Sequence, residues 1–235
     1  MIVTNSTVEQ SGNGRIWLLI AAPFLLLAIG SAAFAIFQPI TVLPRITLSP
    51  GFNLVNQDGE QISNESLRGQ ITLFSFSYVG CGGSCTQSGD DIAAVRKQLE
   101  MVLGNGRSLQ FVTISLDPEQ DTPERLGSFT QQWLGENTRI PWQWLTGNSQ
   151  QVRYTVGGGF DLYYTEAEDS SHIRFQPRYV LVDSLGMIRA RYFEAEPAID
   201  ILLRDIDFLT NEAANSEGAQ ALAYEAAHLF ACYPR

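Results

Sequence analysis

Two cysteines, Cys81 and Cys85, are the residues whose type and spacing are best suited to chemistry in this sequence. Thiolates are the nucleophiles of disulfide exchange, and they are also the soft ligands that Cu(I) prefers. The pair follows a β-branched and aromatic run from Ile71 to Ser77 and lies at the start of an amphipathic segment from Ser84 to Leu103. A helix N-terminus at that point would favour the charged thiolate. The pattern therefore predicts a strand-loop-helix site for copper binding or disulfide chemistry.

Less reactive interpretations of the pair are two buried structural cysteines, an inert disulfide and a zinc site. A structural zinc site usually takes four Cys or His ligands. Besides the pair, the chain offers only His172, His228 and Cys232, so zinc is the weakest of these alternatives. Cys232 is the third cysteine of the chain, and we assign it no role.

Composition excludes one class of partner. The 235-residue chain has a formal net charge of -10, with 45% hydrophobic residues. Nucleic-acid affinity comes mostly from clustered Lys and Arg, so we expect no nucleic-acid partner. The length fits one domain of ordinary size with a terminal segment added to it.

The segment from Ile16 to Phe37 contains no charged residue, and it is long enough to cross a bilayer core, which needs about 20 apolar residues. We predict a single transmembrane anchor over residues 16–37, preceded by a cytoplasmic tail at residues 1–15. A cleaved signal peptide is the alternative, because Ala33-Phe34-Ala35 resembles a small-residue cleavage site. Arg15 and Arg45 flank the segment on its two sides and leave its orientation undetermined.

Three prolines between residues 38 and 51 predict an extended linker, so the folded domain should begin near Phe52. It should run to about residue 210, and a helical tail should cover residues 211–235. Strand and helix patterns alternate from Ile71 onward, which predicts an α/β fold with a central mixed sheet flanked by helices. The expected elements are a hairpin at 52–62, strands at 71–77, 109–116 and 142–145, helices from 84, from 122 and over 197–209, and a hairpin at 179–193.

Three acidic residues, Asp117, Asp121 and Glu124, surround the predicted helix start at Thr122. Carboxylates near a helix N-terminus commonly stabilise the positive end of the helix dipole. We predict this role for them in preference to catalysis.

The segment from Phe74 to Cys85 resembles the signature of the Sco/SenC family, which carries a CxxxC pair after an aromatic-rich strand. A second block, Phe111 to Leu126, contains the more specific pattern D-P-x-x-D-T-P-x-x-L. The resemblance extends from about Phe52 to Leu209. It implies a thioredoxin-like fold on the periplasmic or another extracytoplasmic side of the cell membrane. It also implies copper delivery or thiol reduction during assembly of the copper site of cytochrome c oxidase or another respiratory complex, with other copper or thiol proteins as partners.

The resemblance further implies a histidine beside the two cysteines as a third copper ligand, shortly before the hairpin strand. Counting back from Gly186, that position holds Phe175, and the nearby histidine is His172. The segment from Asp161 to Gln176 reads as a long irregular loop that is able to deliver His172. The implied Cu(I) ligands are therefore the two cysteines and His172, and a solvated loop histidine is the alternative.

A second resemblance favours thiol chemistry without physiological copper. The stretch from Pro177 to Gly186 is similar to that of TlpA-like oxidoreductases, in which a cis-proline packs against the cysteine pair. A trans proline at the start of a strand is the alternative. Under this hypothesis Cys81 and Cys85 are the catalytic redox pair of a thiol-disulfide oxidoreductase. A third hypothesis is an accessory structural subunit of a respiratory membrane complex.

Overall fold

The computed structural model describes residues 13–37, 40–82, 85–103, 108–133, 139–166 and 172–230. The strands are β1 (Thr47–Leu48), β2 (Asn53–Asn56), β3 (Gln61–Ser63), β4 (Ile71–Ser77), β5 (Leu109–Ser115), β6 (Trp142–Thr146), β7 (Tyr164–Glu166), β8 (Ile173–Phe175), β9 (Tyr179–Val182) and β10 (Met187–Tyr192). The helices are α1 (Asn13–Phe37), α2 (Gly89–Val102), α3 (Pro123–Thr130), α4 (Ser149–Arg153), α5 (Ile199–Ala214) and α6 (Gly218–Phe230). A π-helical turn, Tyr154–Gly159, continues α4.

Eight strands form one mixed sheet in the order β1-β10-β9-β4-β5-β6-β2-β3, and β7 and β8 form a separate hairpin. Strands β4, β5 and β6 are parallel, whereas β9 lies antiparallel to β4. Every residue of β4 and β5 is buried, as is typical of strands that are covered on both faces. The predicted α/β class with a central mixed sheet is confirmed. Because parallel strands end at the same edge of a sheet, the segments that follow β4 and β5 lie side by side.

The two faces of the sheet carry separate hydrophobic clusters. Leu73 and Phe111 contribute to the first cluster, together with residues of α2, α3 and α5. Phe74 and Val112, which are their neighbours in the chain, contribute to the second cluster, together with α4 and the π-helical turn. This division follows from the alternation of side chains along a strand. Cys81 belongs to the second cluster.

The linker predicted at residues 38–51 is largely part of the folded domain. Strand β1 pairs with β10, and Leu43 is completely buried. Arg189, which is also buried, donates to the carbonyl oxygens of Leu43 at 2.6 Å and of Pro44 at 3.2 Å. The domain therefore begins well before Phe52. The prolines indicated an extended chain. They do not indicate that this chain pairs with the edge strand of the sheet.

Most other elements lie where the sequence placed them. The hairpin β2–β3, the strands β4, β5 and β6 and the hairpin β9–β10 are confirmed. Helix α3 begins after the Thr122 cap with Pro123 in its first turn, also as predicted. The segment predicted as an irregular loop contains β7 and β8, and residues 167–171 between them lie outside the described residues.

Helix α1 contains the charge-free segment from Ile16 to Phe37. Across the described ranges of the chain, no helix combines the length and the hydropathy needed to cross a membrane. The transmembrane anchor therefore stays a prediction.

Candidate functional site

Cys81 and Cys85 lie in the loop between β4 and α2 and are joined by a disulfide, with their Cα atoms 5.3 Å apart. Cys81 is 5% exposed within the second hydrophobic cluster, whereas Cys85 is half-buried at the margin of that cluster. The Cys81 sulfur also lies 3.2 Å from the carbonyl oxygen of Gln87. Cys85 is therefore the outer sulfur, which an incoming thiol or metal ion meets first, and Cys81 is the inner one.

The cysteines do not lie at the start of helix α2, so that prediction is wrong. The predicted start at Ser84 is outside the described residues, and α2 begins at Gly89, four residues after Cys85. Ser88 Oγ accepts from the Asp91 N–H at 3.2 Å, and Asp91 Oδ2 accepts from the Ser88 N–H at 2.8 Å. This capping box places the Asp91 carboxylate at the positive end of the helix dipole. The dipole already has this negative partner, so it is not available to stabilise a thiolate of the cysteine pair. The Ser-x-x-Asp spacing was a readable signal for this later start.

Asp121 holds the segment that leads into Cys81. Its side chain is fully buried, and Oδ2 accepts from the Val79 N–H at 3.0 Å and from the Ser115 hydroxyl at 2.6 Å. Burial raises the pKa of Asp121, although these two donors and the guanidinium of Arg125 at 3.8 Å act in the opposite direction. Asp121 is thus a positioning residue that joins the loop after β4 to the end of β5, rather than a partner of the helix dipole.

Replacing Asp121 with alanine is expected to lower the free energy of unfolding by about 1–3 kcal/mol, because the part-buried Val79 N–H and the buried Ser115 hydroxyl lose their acceptor. Asp121→Asn is the matched control, since it keeps an acceptor oxygen, and it should cost less. Urea unfolding of both variants measures the difference, and equal losses would contradict the acceptor role.

The pH dependence of the free energy of unfolding supplies a second measurement on the same variants. The folded-state pKa of Asp121 lies above its ordinary value of 3.8. The stability contributed by this bound proton is therefore present below that ordinary value and is lost as the pH rises through the folded pKa. The asparagine variant cannot ionise, so this part of the pH dependence should be absent from its unfolding curves.

Strand β8 is tied to the cysteine loop by two hydrogen bonds. Tyr78 Oη accepts from the Ile173 N–H at 3.1 Å, and Thr86 Oγ1 donates to the Phe175 carbonyl oxygen at 2.9 Å. Phe175 is 7% exposed and belongs to the same hydrophobic cluster as Cys81. A core phenylalanine thus occupies the position at which the family resemblance implied a histidine ligand.

His172 is half-buried and immediately precedes β8. Among the residues that the structure describes, no group of three or more His, Cys, Asp or Glu side chains is arranged to hold a metal ion. The cysteines form a disulfide, and the ligating species of cysteine is the thiolate. Reduction would release two soft sulfur donors, a set that fits Cu(I). A third ligand from His172 stays a prediction for the reduced chain, and Cys232 lies outside the described residues.

The peptide bond before Pro177 is trans, so the resemblance to oxidoreductases with a cis-proline loop does not hold at this bond. The next residue, Arg178, donates its backbone N–H to Gln87 Oε1 at 3.0 Å. Gln87 is fully buried, and its carbonyl oxygen accepts from the Ser77 hydroxyl at 2.7 Å. The segment before β9 is therefore fixed to the cysteine loop through Gln87.

No positioning role was predicted for the residues that fix the loop, namely Tyr78, Thr86, Gln87 and Asp121, although Asp121 was expected beside the helix start. Asp121 and Tyr78 left a signal, because each belongs to one of the two family blocks. Tyr78, Thr86 and Gln87 act through partners close to 90 residues away in the chain, and such contacts leave no local pattern.

Comparison with known proteins agrees with this geometry. The family model described as SCO1/SenC matches residues 43–210. The SCO1 protein homolog of Bacillus subtilis is 27% identical over 154 residues, which are 64% of this chain and 77% of that protein.

Two solved structures share the fold. BsSco, described as a member of the Sco family of cytochrome c oxidase assembly proteins, superposes with a TM-score of 0.60 at 22% identity, over 72% of this chain and 97% of its own. Arabidopsis thaliana ScoI, solved with copper bound, superposes with a TM-score of 0.58 at 20% identity, over 70% of this chain and 99% of its own. These similarities establish the thioredoxin-like fold that the resemblance implied. Since the family model spans more than half of the sequence and includes both cysteines, the chain belongs to the SCO1/SenC family.

Proposed function

We propose that this chain delivers copper, or reduces thiols, during assembly of the copper site of a cytochrome c oxidase. The observation that carries the proposal is the pair Cys81 and Cys85, whose Cα atoms lie 5.3 Å apart in a domain of the SCO1/SenC family. Both activities use the same two sulfur atoms. The copper bound to Arabidopsis ScoI and the assembly role ascribed to the family of BsSco support the proposal.

In copper delivery, the reduced cysteines hold Cu(I) as cargo. Two thiolates match the preference of this soft ion, and we propose His172 as the third ligand. Cys85 is the more exposed of the two cysteines, so we expect it to be the ligand that a partner's thiolate or imidazole replaces first. The buried Cys81 would release the ion last.

In thiol reduction, the Cys85 thiolate attacks one sulfur of a partner's disulfide and releases the other as a thiolate. The Cys81 thiolate then attacks the Cys85 sulfur and displaces the partner. The partner gains two electrons and leaves as a dithiol, and this chain is left with the Cys81–Cys85 disulfide. The disulfide in the structure corresponds to this product state.

Anaerobic titration of the full chain with Cu(I) tests the copper proposal. We expect stoichiometric, tight binding by the reduced chain and none by the chain with its disulfide intact, because only the reduced form offers thiolates. The oxidised chain is thus a control of identical sequence. Equal, weak binding by the two forms would refute copper delivery.

A thiol-disulfide oxidoreductase that does not carry copper is the second candidate. The disulfide itself, and the difference in burial between its two sulfurs, favour it. The accessible Cys85 is the attacking group, so Cys81→Ser is the variant that should trap a mixed disulfide with a partner. The reverse choice, Cys85→Ser, leaves only the buried sulfur.

We further propose that the N-terminal segment anchors the chain in a membrane, with the domain on its extracytoplasmic side. The charge-free run at residues 16–37 supports the anchor, and the disulfide supports an oxidising compartment. After alkaline extraction of membranes the full chain should stay in the pellet. Quantitative recovery in the supernatant would contradict the anchor.

A further inference from the structure

An open groove of about 450 Å³ runs beside the hairpin β7–β8. Residues 161–163, 174–176 and 178 supply its lining. Leu162 and Phe175 are its buried apolar residues, and Tyr163 is 78% exposed. Its volume falls within the range of about 300–1,000 Å³ that is typical of ligand sites.

The lining of the groove is hydrogen-bonded to the residues that follow the outer cysteine. Thr86 donates to the carbonyl oxygen of Phe175, and the Gln87 side chain accepts from the backbone N–H of Arg178. Phe175 and Arg178 line the groove, and the two residues that bind them directly follow Cys85. The lining of the groove is therefore joined to the loop that carries Cys85, and we expect a chain in the groove to pass near that sulfur.

A buried arginine lines the groove. Arg178 is 8% exposed, and its Nη1 donates to the carbonyl oxygens of Phe160 at 2.8 Å and Asp161 at 2.6 Å. Its guanidinium carbon lies 5.0 Å from the centre of the Phe193 ring. Within the described part of the chain, Nε of Arg178 is buried without a hydrogen-bond partner. A buried guanidinium with an unused donor is suited to an oxygen ligand from outside.

Two more arginines lie in this region. Arg174 lines the groove and is exposed, and Arg191 pairs with Asp161 at 3.3 Å. Burial, and then the positive charge of Arg191, lower the pKa of Arg178, while Asp161 acts in the opposite direction. Of the residues that line the groove, Arg174 and Arg178 are basic and Asp161 is acidic, and Asp161 is paired with Arg191. The two lining arginines are therefore the groups that would meet an acidic ligand.

We propose that the groove docks an acidic segment of the partner protein, whose carboxylate pairs with Arg174 and Arg178 and whose adjacent cysteine is thereby placed at Cys85. Arginine binds a carboxylate through a planar pair of N–H donors, and the buried position of Arg178 strengthens the attraction. The apolar part of the lining, Leu162, Tyr163 and Phe175, fits a peptide segment. Two arginines are too few to hold a nucleic acid, whose phosphate backbone needs clustered Lys and Arg. The proposal rests on the proposed function for the reactivity of Cys85.

The test uses the reduced full chain in a Cys81→Ser, Cys232→Ser background, which leaves Cys85 as its only thiol. The probes are synthetic peptides with one cysteine, held as a mixed disulfide with thionitrobenzoate and flanked by either Asp and Glu or Lys. Attack by the Cys85 thiolate on the peptide sulfur forms a protein–peptide disulfide and releases the coloured thionitrobenzoate thiolate. We expect the acidic peptide to react about 10-fold faster at low ionic strength, with the ratio falling as salt is added.

Single substitutions test whether the groove arginine Arg174 causes the faster reaction of the acidic peptide. Arg174→Ala should lower the acidic-to-basic rate ratio by about 2–5-fold, as expected for one exposed charge, and Arg174→Glu should lower it further. Lys97→Ala removes an exposed cation from α2, which packs on the opposite face of the sheet, and it should leave the ratio unchanged. Equal rates for the two peptides would overturn the proposal that the groove docks an acidic segment, while leaving the proposed thiol chemistry intact. The same conclusion would follow if Lys97→Ala changed the rate ratio as much as Arg174→Ala does. No release from any peptide would overturn the thiol chemistry, and the groove with it.

Discussion

Replacing either Cys81 or Cys85 with serine is expected to abolish tight Cu(I) binding by the reduced chain. A neutral hydroxyl is a poor ligand for this soft ion, and one remaining thiolate cannot hold it tightly. The loss should exceed the about 10–100-fold that follows removal of a group that only supports a ligand. Anaerobic competition with a chromophoric Cu(I) chelator measures the affinity of each reduced variant.

Two further variants belong to the same titration. Cys232→Ser should bind copper as the unmodified chain does, because we assign Cys232 no role. His172→Ala should weaken binding while leaving the cysteine pair oxidisable, as expected for a third ligand. An unchanged affinity in His172→Ala would remove His172 from the site, and unchanged affinity in the cysteine variants would refute the copper proposal altogether.

Replacing Arg189 with methionine is expected to lower the free energy of unfolding by about 3–5 kcal/mol, the usual cost of removing one member of a buried ionic network. Arg189 is 1% exposed and pairs with Asp183 at 2.8 Å and Glu212 at 2.7 Å. It also binds the carbonyl oxygens that precede β1. In the variant, Asp183, Glu212 and the carbonyl oxygens before β1 lose the buried cation that binds them. Urea unfolding at neutral pH measures the loss.

The effect of Arg189→Met should depend on pH in a stated direction. Burial raises the pKa of Glu212, but its bonds to Arg189 and His228 outweigh burial and leave it below the ordinary value of 4.5. The stability from Glu212 is thus present above that value and is lost as the pH falls through the lowered pKa. The difference between wild type and variant should shrink in acid, where Glu212 becomes neutral.

A matched variant distinguishes the stability contributed by this buried network from the effect of removing any arginine. Arg68→Met removes an arginine whose side chain is 41% exposed and whose ionic partner, Glu65, is 65% exposed. Its other partner is the carbonyl oxygen of Leu185, at an exposed position. Its expected effect lies within about 0.5 kcal/mol, as is usual for surface positions. Comparable losses in Arg68→Met and Arg189→Met would contradict a special role for the buried network.

The reactive pair and most of the sheet were predictable from the sequence because their signals are local. The run Ile71–Ser77 has the composition of a buried strand, and it forms β4 with these bounds. The Thr122-Pro123 dipeptide marks a helix start, and α3 begins there. The spacing of Cys81 and Cys85 places two sulfurs within bonding distance once a loop forms. Each of these features depends on residues that are neighbours in the chain.

The roles within the site were decided by contacts between distant parts of the chain. Asp121 binds Val79 across 42 residues, and Thr86 binds Phe175 across 89. The same packing buries Cys81 and leaves Cys85 accessible. This difference in burial cannot be predicted from the spacing of the two cysteines. The arginine groove beside Cys85 likewise exists only after β8 and β9 have packed on the cysteine loop. Local propensities and caps are short-range preferences of the backbone, whereas burial and the partners of a buried polar group are set only when separate elements close on one another.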